Sequence, residues 1–265
     1  DTTSEITKVS RNAYANPQKI SGELMHLLQL SSHAYKNSEG AFDISIGNLS
    51  QLWRYSKKQK IFPSPFAVDS TQKLTGFHHL LIDTVRQTLS FMVPGIKLDF
   101  GGIVKGYAAQ KVVDYLLSQS IVSALADAGG DIAISNAPPQ KDGWLVAVNV
   151  PESATESWKK KLTLHNKSVA TSGDVYQYTL HEGKKYSHII NPETGYGITS
   201  QRNVTVIAGD GATADWLATA CSILPIRKSL RLAKKQHAAL MIAYMKNERI
   251  AVRKTKNFDL YFTEQ

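Results

Sequence analysis

Five short segments hold residue types that could do chemistry. In Ala214-Asp-Trp-Leu-Ala-Thr-Ala220, Asp215 and Thr219 stand four apart. On a helix that spacing puts a carboxylate and a hydroxyl on one face. Hard oxygen ligands of this kind suit Mg²⁺. Such spacing also arises on any helix with an exposed Asp near its start. In Ser187-His-Ile-Ile-Asn-Pro-Glu-Thr-Gly195, a strand carrying His188 runs into an Asn-Pro turn that Gly195 closes. An imidazole at a strand end suits general-base work, although a single histidine is more often structural.

The segment Leu98-Asp-Phe-Gly-Gly-Ile-Val-Lys-Gly-Tyr107 reads as a strand ending on Asp99, two glycines, and a helix start. Glycines let a ligand approach the backbone, and free N–H groups at a helix start favour phosphate. Lys105 falls in the first turn, where a cation opposes the helix dipole and needs another partner. The spacing is neither a P-loop nor GxGxxG, so a tight turn with a surface lysine is an equal reading. Gly129-Gly-Asp-Ile132 reads locally as a hairpin turn that could also pack against a planar ligand. Gly40-Ala-Phe-Asp43, followed by Leu52-Trp53, offers an aromatic beside a carboxylate. It could clamp a ring system, or be core Phe42 next to a capping Asp43.

These residues need elements to position them. Thr2 and Glu5 have capping-box spacing, which predicts a helix over 3–12. A second helix starts near Ser21, with Leu24, Leu27, Leu28 and Ser31 on one face. Pro63 and Pro65 mark a loop, and 78–83 with 88–93 read as a strand pair. A helix over 101–118 shows Val104, Ala108, Val112, Tyr115 and Leu116 at helical spacing. Strands follow at 121–127, 131–135, 144–149, 162–165, 176–180, 185–190 and 203–208. Helices at 212–223 and 226–236 precede strands at 238–244 and 248–253. Helices and strands come in blocks, which predicts α+β.

Bulk properties bound the function. The 265 residues are 42% hydrophobic and 20% charged, a globular composition that permits a sizeable core. No apolar run approaches the roughly 20 residues that span a bilayer. The chain opens on the polar Asp1-Thr-Thr-Ser-Glu5 and shows no signal peptide, which does not decide location. The net charge of +9 is concentrated in Arg227–Lys235 and Lys246–Lys256. It would attract a phosphorylated ligand, an acidic membrane surface or nucleic acid, although a solvated basic face is the plainer reading. No zinc-finger spacing or aromatic RNA-binding signature accompanies the charge, so nucleic acid is not expected. Cys221, the single cysteine, sits among apolar residues and reads as a buried small hydrophobe.

In their order, these segments resemble the ApbE family of FAD:protein FMN transferases. That family typically shows T-G-A-F-D, a Leu-Trp pair, L-D-L-G-G-I-A-K-G-Y, G-G-D-I, A-T-S-G, S-H-I-I-D-P-R-T-G and A-D-A-L-A-T-A. This chain has Gly40 to Asp43, Leu52-Trp53, Leu98 to Tyr107, Gly129 to Ile132, Ala170-Thr-Ser-Gly173, Ser187 to Gly195 and Ala214 to Ala220. The match runs over roughly residues 3–245. The resemblance implies one ApbE-like, T-fold-related domain over 1–265, with mixed sheets, packed helices and an FAD cleft between two subdomains. It implies that Ala41, Phe42, Asp43, Asp99, Lys105, Ser172, Gly173, His188 and Ile189 line the FAD site. Asp215 and Thr219 side chains and the Gly102 carbonyl would bind Mg²⁺, and His188 would be the base. The implied reaction moves FMN from FAD to a Thr or Ser hydroxyl of an acceptor flavoprotein and releases AMP.

The chain departs from the pattern in three places. Gln110 stands where the family usually has Asp in G-Y-A-x-D, and Asn191 replaces the Asp of H-I-I-D-P. The usual opening strand with M-G-T is not in this sequence, so the domain is expected to lack its first strand. Two other functions fit the same residues: an FAD pyrophosphatase releasing FMN and AMP, and a flavin-binding protein without turnover. Family analogy implies export to a bacterial periplasm or cell envelope, with any lipid anchor outside this chain.

Overall fold

The computed structural model describes residues 3–151, 157–173, 178–246 and 249–263. The chain begins with α1 (Glu5–Asn12), β1 (Gln18–Lys19), α2 (Gly22–Asn37), α3 (Gly47–Gln59), α4 (Pro65–Gln72), β2 (Leu80–Asp83) and β3 (Thr88–Phe91). Next come α5 (Val104–Ser118), β4 (Leu125–Asp127), β5 (Ile132–Ile134), β6 (Trp144–Pro151), β7 (Ser157–Leu164) and β8 (Lys167–Gly173). β9 (Tyr178–His181), β10 (Lys184–Ser187), β11 (Arg202–Ala208), α6 (Gly211–Ile223), α7 (Ile226–Lys235), β12 (Ala239–Lys246) and β13 (Arg249–Lys254) follow. Blocks of like elements give the α+β class that the sequence predicts. The chain divides into two compact units, Asp1–Phe100 with Gln177–Thr199, and Gly101–Tyr176 with Ser200–Gln265.

In the first unit, side-chain caps start the helices. Ser4 caps α1, its Oγ accepting from the Thr7 N–H at 3.3 Å. The Thr2 expected in this role lies outside the described residues. Ser21 caps α2 through the Leu24 N–H at 3.1 Å. Glu5 accepts from the Ser21 N–H at 2.6 Å and from its hydroxyl at 2.7 Å, which couples the two helix starts. α2 buries Leu24, Leu27, Leu28 and Ser31, the face its periodicity predicts. Pro65 opens α4 behind the cap Ser64, where the sequence suggests only a loop. Proline fits the first helical position because the missing N–H would have no helical partner there. β1, β3 and β2 form an antiparallel sheet, and β9 and β10 a hairpin.

The second unit is a six-stranded antiparallel sheet in the order β13-β12-β11-β8-β5-β4. α5 lies against β4 and β5, α6 against β8 and β11, and α7 against β12. A separate ribbon, β6 with β7, supplies Val146, Val148, Leu162 and Leu164 to a core with Ile207, Met241 and Phe258. α7 buries Ser229, Leu232 and Ala233 and turns Arg227, Arg231, Lys234 and Lys235 outward, so the first basic cluster is a solvated helix face. Cys221 is fully buried, and burial pushes its thiol up to about 12. Among the described residues, no helix is long and apolar enough to cross a membrane.

Three further expectations are corrected, and one strand is new. No strand leads into Asp99; residues 96–100 are extended coil, pinned by the Asp99 N–H donating to the Ile44 carbonyl at 2.7 Å. The strand expected over 185–190 ends at Ser187, so His188 follows it. β8 is unforeseen, because Lys-Ser-Val-Ala-Thr-Ser-Gly carries little strand signal. It is nonetheless paired on both sides, with β5 and β11, because tertiary position overrides weak propensity. On α5 the buried residues are Gly106, Tyr107, Ala109 and Val113, while Val112 and Tyr115 are exposed. The helix is rotated by a backbone contact that apolar periodicity does not register: Gly106 lies on Gly211 of α6. Of the strand expected over 176–180, residues 176 and 177 lie outside the described residues, as does residue 248 of the strand expected over 248–253. The other predicted elements are present with shifted ends.

A Cβ on Gly106 would overlap the Gly211 carbonyl and come within 2.8 Å of Asp215 Cβ. Gly106→Ala is therefore expected to destabilise the fold by about 2 kcal/mol, read as a lower midpoint in thermal melts followed by circular dichroism. Gly22→Ala, which meets nothing within 4 Å, is the matched control. Equal midpoints for the two variants would refute the backbone contact.

Candidate functional site

In the second unit, the start of α5 lacks a cap of its own. Its N-cap residue is Ile103, whose side chain can accept nothing. The first N–H groups of a helix have no partner inside it. Here Asp215 of α6 supplies one, with the Gly106 N–H donating to Oδ2 at 3.0 Å and the Lys105 N–H also directed at the carboxylate. A negative group at a helix start also suits the helix dipole. Asp215 is buried, and burial, joined by the charge of Asp131, pushes its carboxyl up to about 7.

Asp131 belongs to the Gly129-Gly-Asp-Ile132 segment, and the sequence gives it no role. The segment is the expected hairpin: Asp127 pairs with Ile132, and Gly129 and Gly130 take left-handed backbone angles of +72° and +94°. The turn aims the Asp131 carboxylate at the Lys105 ammonium, which supplies the partner that Lys105 needs against the helix dipole. Asp131 also accepts from the Thr171 N–H, so the Ala170-Thr-Ser-Gly173 segment joins the same cluster. Burial pulls the Lys105 ammonium down, but the Asp131 pair outweighs it and holds the group above its ordinary value. Burial lifts the Asp131 carboxyl even so. The charge-assisted contact makes the ionised pair the operative form.

The expected metal set fits this cluster in kind. Asp215 and Thr219 share one face of α6, and Gly102 lies in the turn before α5. Carboxylate, hydroxyl and carbonyl are all hard oxygen donors. A divalent cation would also hold the Asp215 carboxylate ionised at a position where burial opposes charge. Among the described residues, no group of three His, Cys, Asp or Glu side chains converges on a point. Mg²⁺ as a rule keeps few carboxylates and completes its shell with phosphate and water. Ser172 and Gly173 are half-buried on β8, opposite Val204 and Asn203 of β11.

In the first unit, Ala41, Phe42 and Asp43 are buried. Asp43 caps the 3-10 turn Ile44–Ile46: its Oδ1 accepts from the Ser45 N–H at 2.8 Å and hydroxyl at 2.7 Å, and its Oδ2 from the Phe77 N–H at 3.0 Å. Burial raises its carboxyl despite these bonds. The capping reading of this segment is thus present in the structure. Asp99 is held by Arg54, Nη2 to Oδ2 at 2.7 Å. Trp53 donates its indole N–H to the Gly195 carbonyl at 2.9 Å, which joins the Leu52-Trp53 and Ser187–Gly195 segments. Gly195 closes its turn with φ +73° and an N–H bond to the Asn191 carbonyl at 2.9 Å. Asn191 Oδ1 accepts from the Glu193 N–H at 2.9 Å, an acceptor's task that Asn performs as well as Asp. His188 is exposed between buried Ser187 and Ile189, whose backbones bond on both sides to Ile198. The imidazole is therefore presented from a fixed backbone.

The sequence matches the ApbE family over residues 1–242. It is 29% identical over 243 residues to the FAD:protein FMN transferase of Vibrio cholerae, covering 90% of this chain and 72% of that one. It is 32% identical over 244 residues to the FAD:protein FMN transferase of Chlamydia muridarum, covering 90% and 75%. The fold superposes on the solved flavin transferase ApbE of Vibrio cholerae with a TM-score of 0.89 at 25% identity, covering 98% of this chain and 84% of that one. It superposes on the apo flavinyl transferase ApbE of Pseudomonas stutzeri with a TM-score of 0.86 at 28% identity, covering 99% and 82%. Motif order, the α+β fold and the extent of these matches agree, and the chain belongs to the ApbE family.

Proposed function

We propose that this chain is a Mg²⁺-dependent FAD:protein FMN transferase that moves FMN from FAD to a Thr or Ser hydroxyl of an acceptor flavoprotein, with release of AMP. The names of its relatives support the transferase activity. The observation that carries the reading is the buried Asp215, held against the Lys105 and Gly106 N–H groups beside the Lys105–Asp131 pair. This cluster offers an anionic foothold for a cation and a positive side chain for a phosphate within one unit. Asp215, Thr219 and the Gly102 carbonyl would hold the ion. Mg²⁺ would neutralise charge on the pyrophosphate of FAD.

The remaining work falls to side chains. The acceptor hydroxyl oxygen bonds to the FMN phosphorus, the bond to the AMP phosphate breaks, and AMP leaves. His188 takes the hydroxyl proton, a role open to an exposed imidazole on a fixed backbone. Lys105 keeps its charge near neutral pH because Asp131 holds its ammonium above the ordinary value. Export to the cell envelope belongs to the same proposal and is supported by the family resemblance alone; fractionation of the native host tests it.

Incubation of the chain with FAD, Mg²⁺ and a flavoprotein acceptor should add the mass of FMN to the acceptor, read by intact-mass spectrometry. FMN and AMP released equally with and without acceptor would favour a pyrophosphatase, and binding without product a non-catalytic protein. Asp215→Ala should abolish the Mg²⁺-dependent turnover. His188→Ala should lower transfer by about 10²–10⁴-fold while FAD still binds; an unchanged rate removes His188 from the mechanism.

The raised Asp215 carboxyl has a further signature. Between its ordinary 3.8 and about 7, folded Asp215 keeps a proton that the unfolded chain has released. Its contribution is therefore fully present below 3.8 and is lost as pH rises towards about 7. Urea midpoints of metal-free Asp215→Asn should fall less steeply across that window than those of the parent. Parallel profiles would contradict the burial argument.

A further inference from the structure

We infer that Gln110 is a positioning residue that sets Asp215 against the start of α5. The inference rests on the reading of Asp215 as the metal carboxylate. Gln110 lies one turn beyond Gly106 on α5, and its carboxamide has three partners. Its Oε1 accepts from the Gly211 N–H at 3.1 Å and from the Ser168 hydroxyl at 3.2 Å, and its Nε2 donates to Asp114 Oδ1 at 2.8 Å.

Gly211 is the first residue of α6, so its N–H has no partner inside that helix. Asp215 stands one turn further on. The two helices meet backbone to backbone at Gly106 and Gly211, with no side chain between them. The Gln110–Gly211 bond fixes where α6 starts along α5. The Gly106–Asp215 bond depends on that register being right. The cap of α6 itself, Asp210 accepting from the Thr213 N–H at 2.8 Å, is local and sets no register against α5. Ser168 extends the latch to β8, the strand that carries Ser172 and Gly173.

The residue type matters. A carboxylate at this place could accept from Gly211 and Ser168. It would also face Asp114, four residues on, as a like charge on one helix face. Glutamine accepts from Gly211, donates to Asp114 and stays neutral at every pH.

The test uses the full chain and has one arm without metal. In metal-free protein, Gln110→Ala should speed hydrogen exchange of both the Gly211 and the Gly106 amides, read by NMR. In the transfer assay, the Mg²⁺ concentration for half-maximal rate should rise about tenfold. The rate at saturating Mg²⁺ should stay within roughly twofold of the parent, a split that general loosening would not produce. Gln110→Glu alone should behave like Gln110→Ala, and Gln110→Glu with Asp114→Asn should restore both readouts. Unchanged Gly106 exchange in Gln110→Ala, or no recovery in the double variant, overturns the inference. If Gln110→Ala does not fold, the Gln110→Glu pair carries the same comparison. Transfer by the parent without Mg²⁺ dependence would remove the metal reading, and the exchange arm would still decide the latch.

Discussion

A carboxylate taken out of water must find hydrogen bonds and charge of the opposite sign, or give up its own charge. Asp215 meets that demand at the start of α5, where Ile103 leaves N–H groups uncapped. Each side answers a deficit of the other: the helix needs an acceptor, and the carboxylate needs donors. The contact also explains the two glycines. Only residues without a Cβ let α5 and α6 come close enough for a short Asp side chain to bridge them. The rotation of α5, the exposure of Val112 and Tyr115, and the burial of Tyr107 follow from that approach.

The compensation is incomplete, and the remainder bears on function. Asp215 is left with a carboxyl at about 7 because Asp131 adds repulsion to burial. Two buried carboxylates and one ammonium leave the cluster short of positive charge. A cation would relieve that deficit.

The first unit solves a different problem, which is to hold loops still. Asp43 ties two turns together through Ser45 and Phe77, and Trp53 locks the Asn191–Gly195 turn through one indole bond. Asp43, which stands out in the sequence as a ligand candidate, is thus occupied with backbone. An aromatic or carboxylate in a conspicuous segment can be conspicuous for holding a loop, and the loop then presents its neighbour. His188 is such a neighbour: exposed itself, but flanked by buried Ser187 and Ile189.

By itself the sequence determined the α+β class, the start of α2 near Ser21, the buried face of α2 and the order of the seven segments that mark the family. These are local signals, carried by residues near one another in the chain. It also put Asp215 and Thr219 on one helical face, since four residues make about one turn. Only the tertiary structure decided that Asp131 belongs with Lys105, that Asp215 caps a helix other than its own, and that Gln110 bridges α5, α6 and β8. β8 likewise became a strand because of what lies on either side of it. Such contacts join residues from 26 to 109 positions apart. No spacing rule reaches across that distance, because what brings the partners together is burial, and burial is a property of the whole fold.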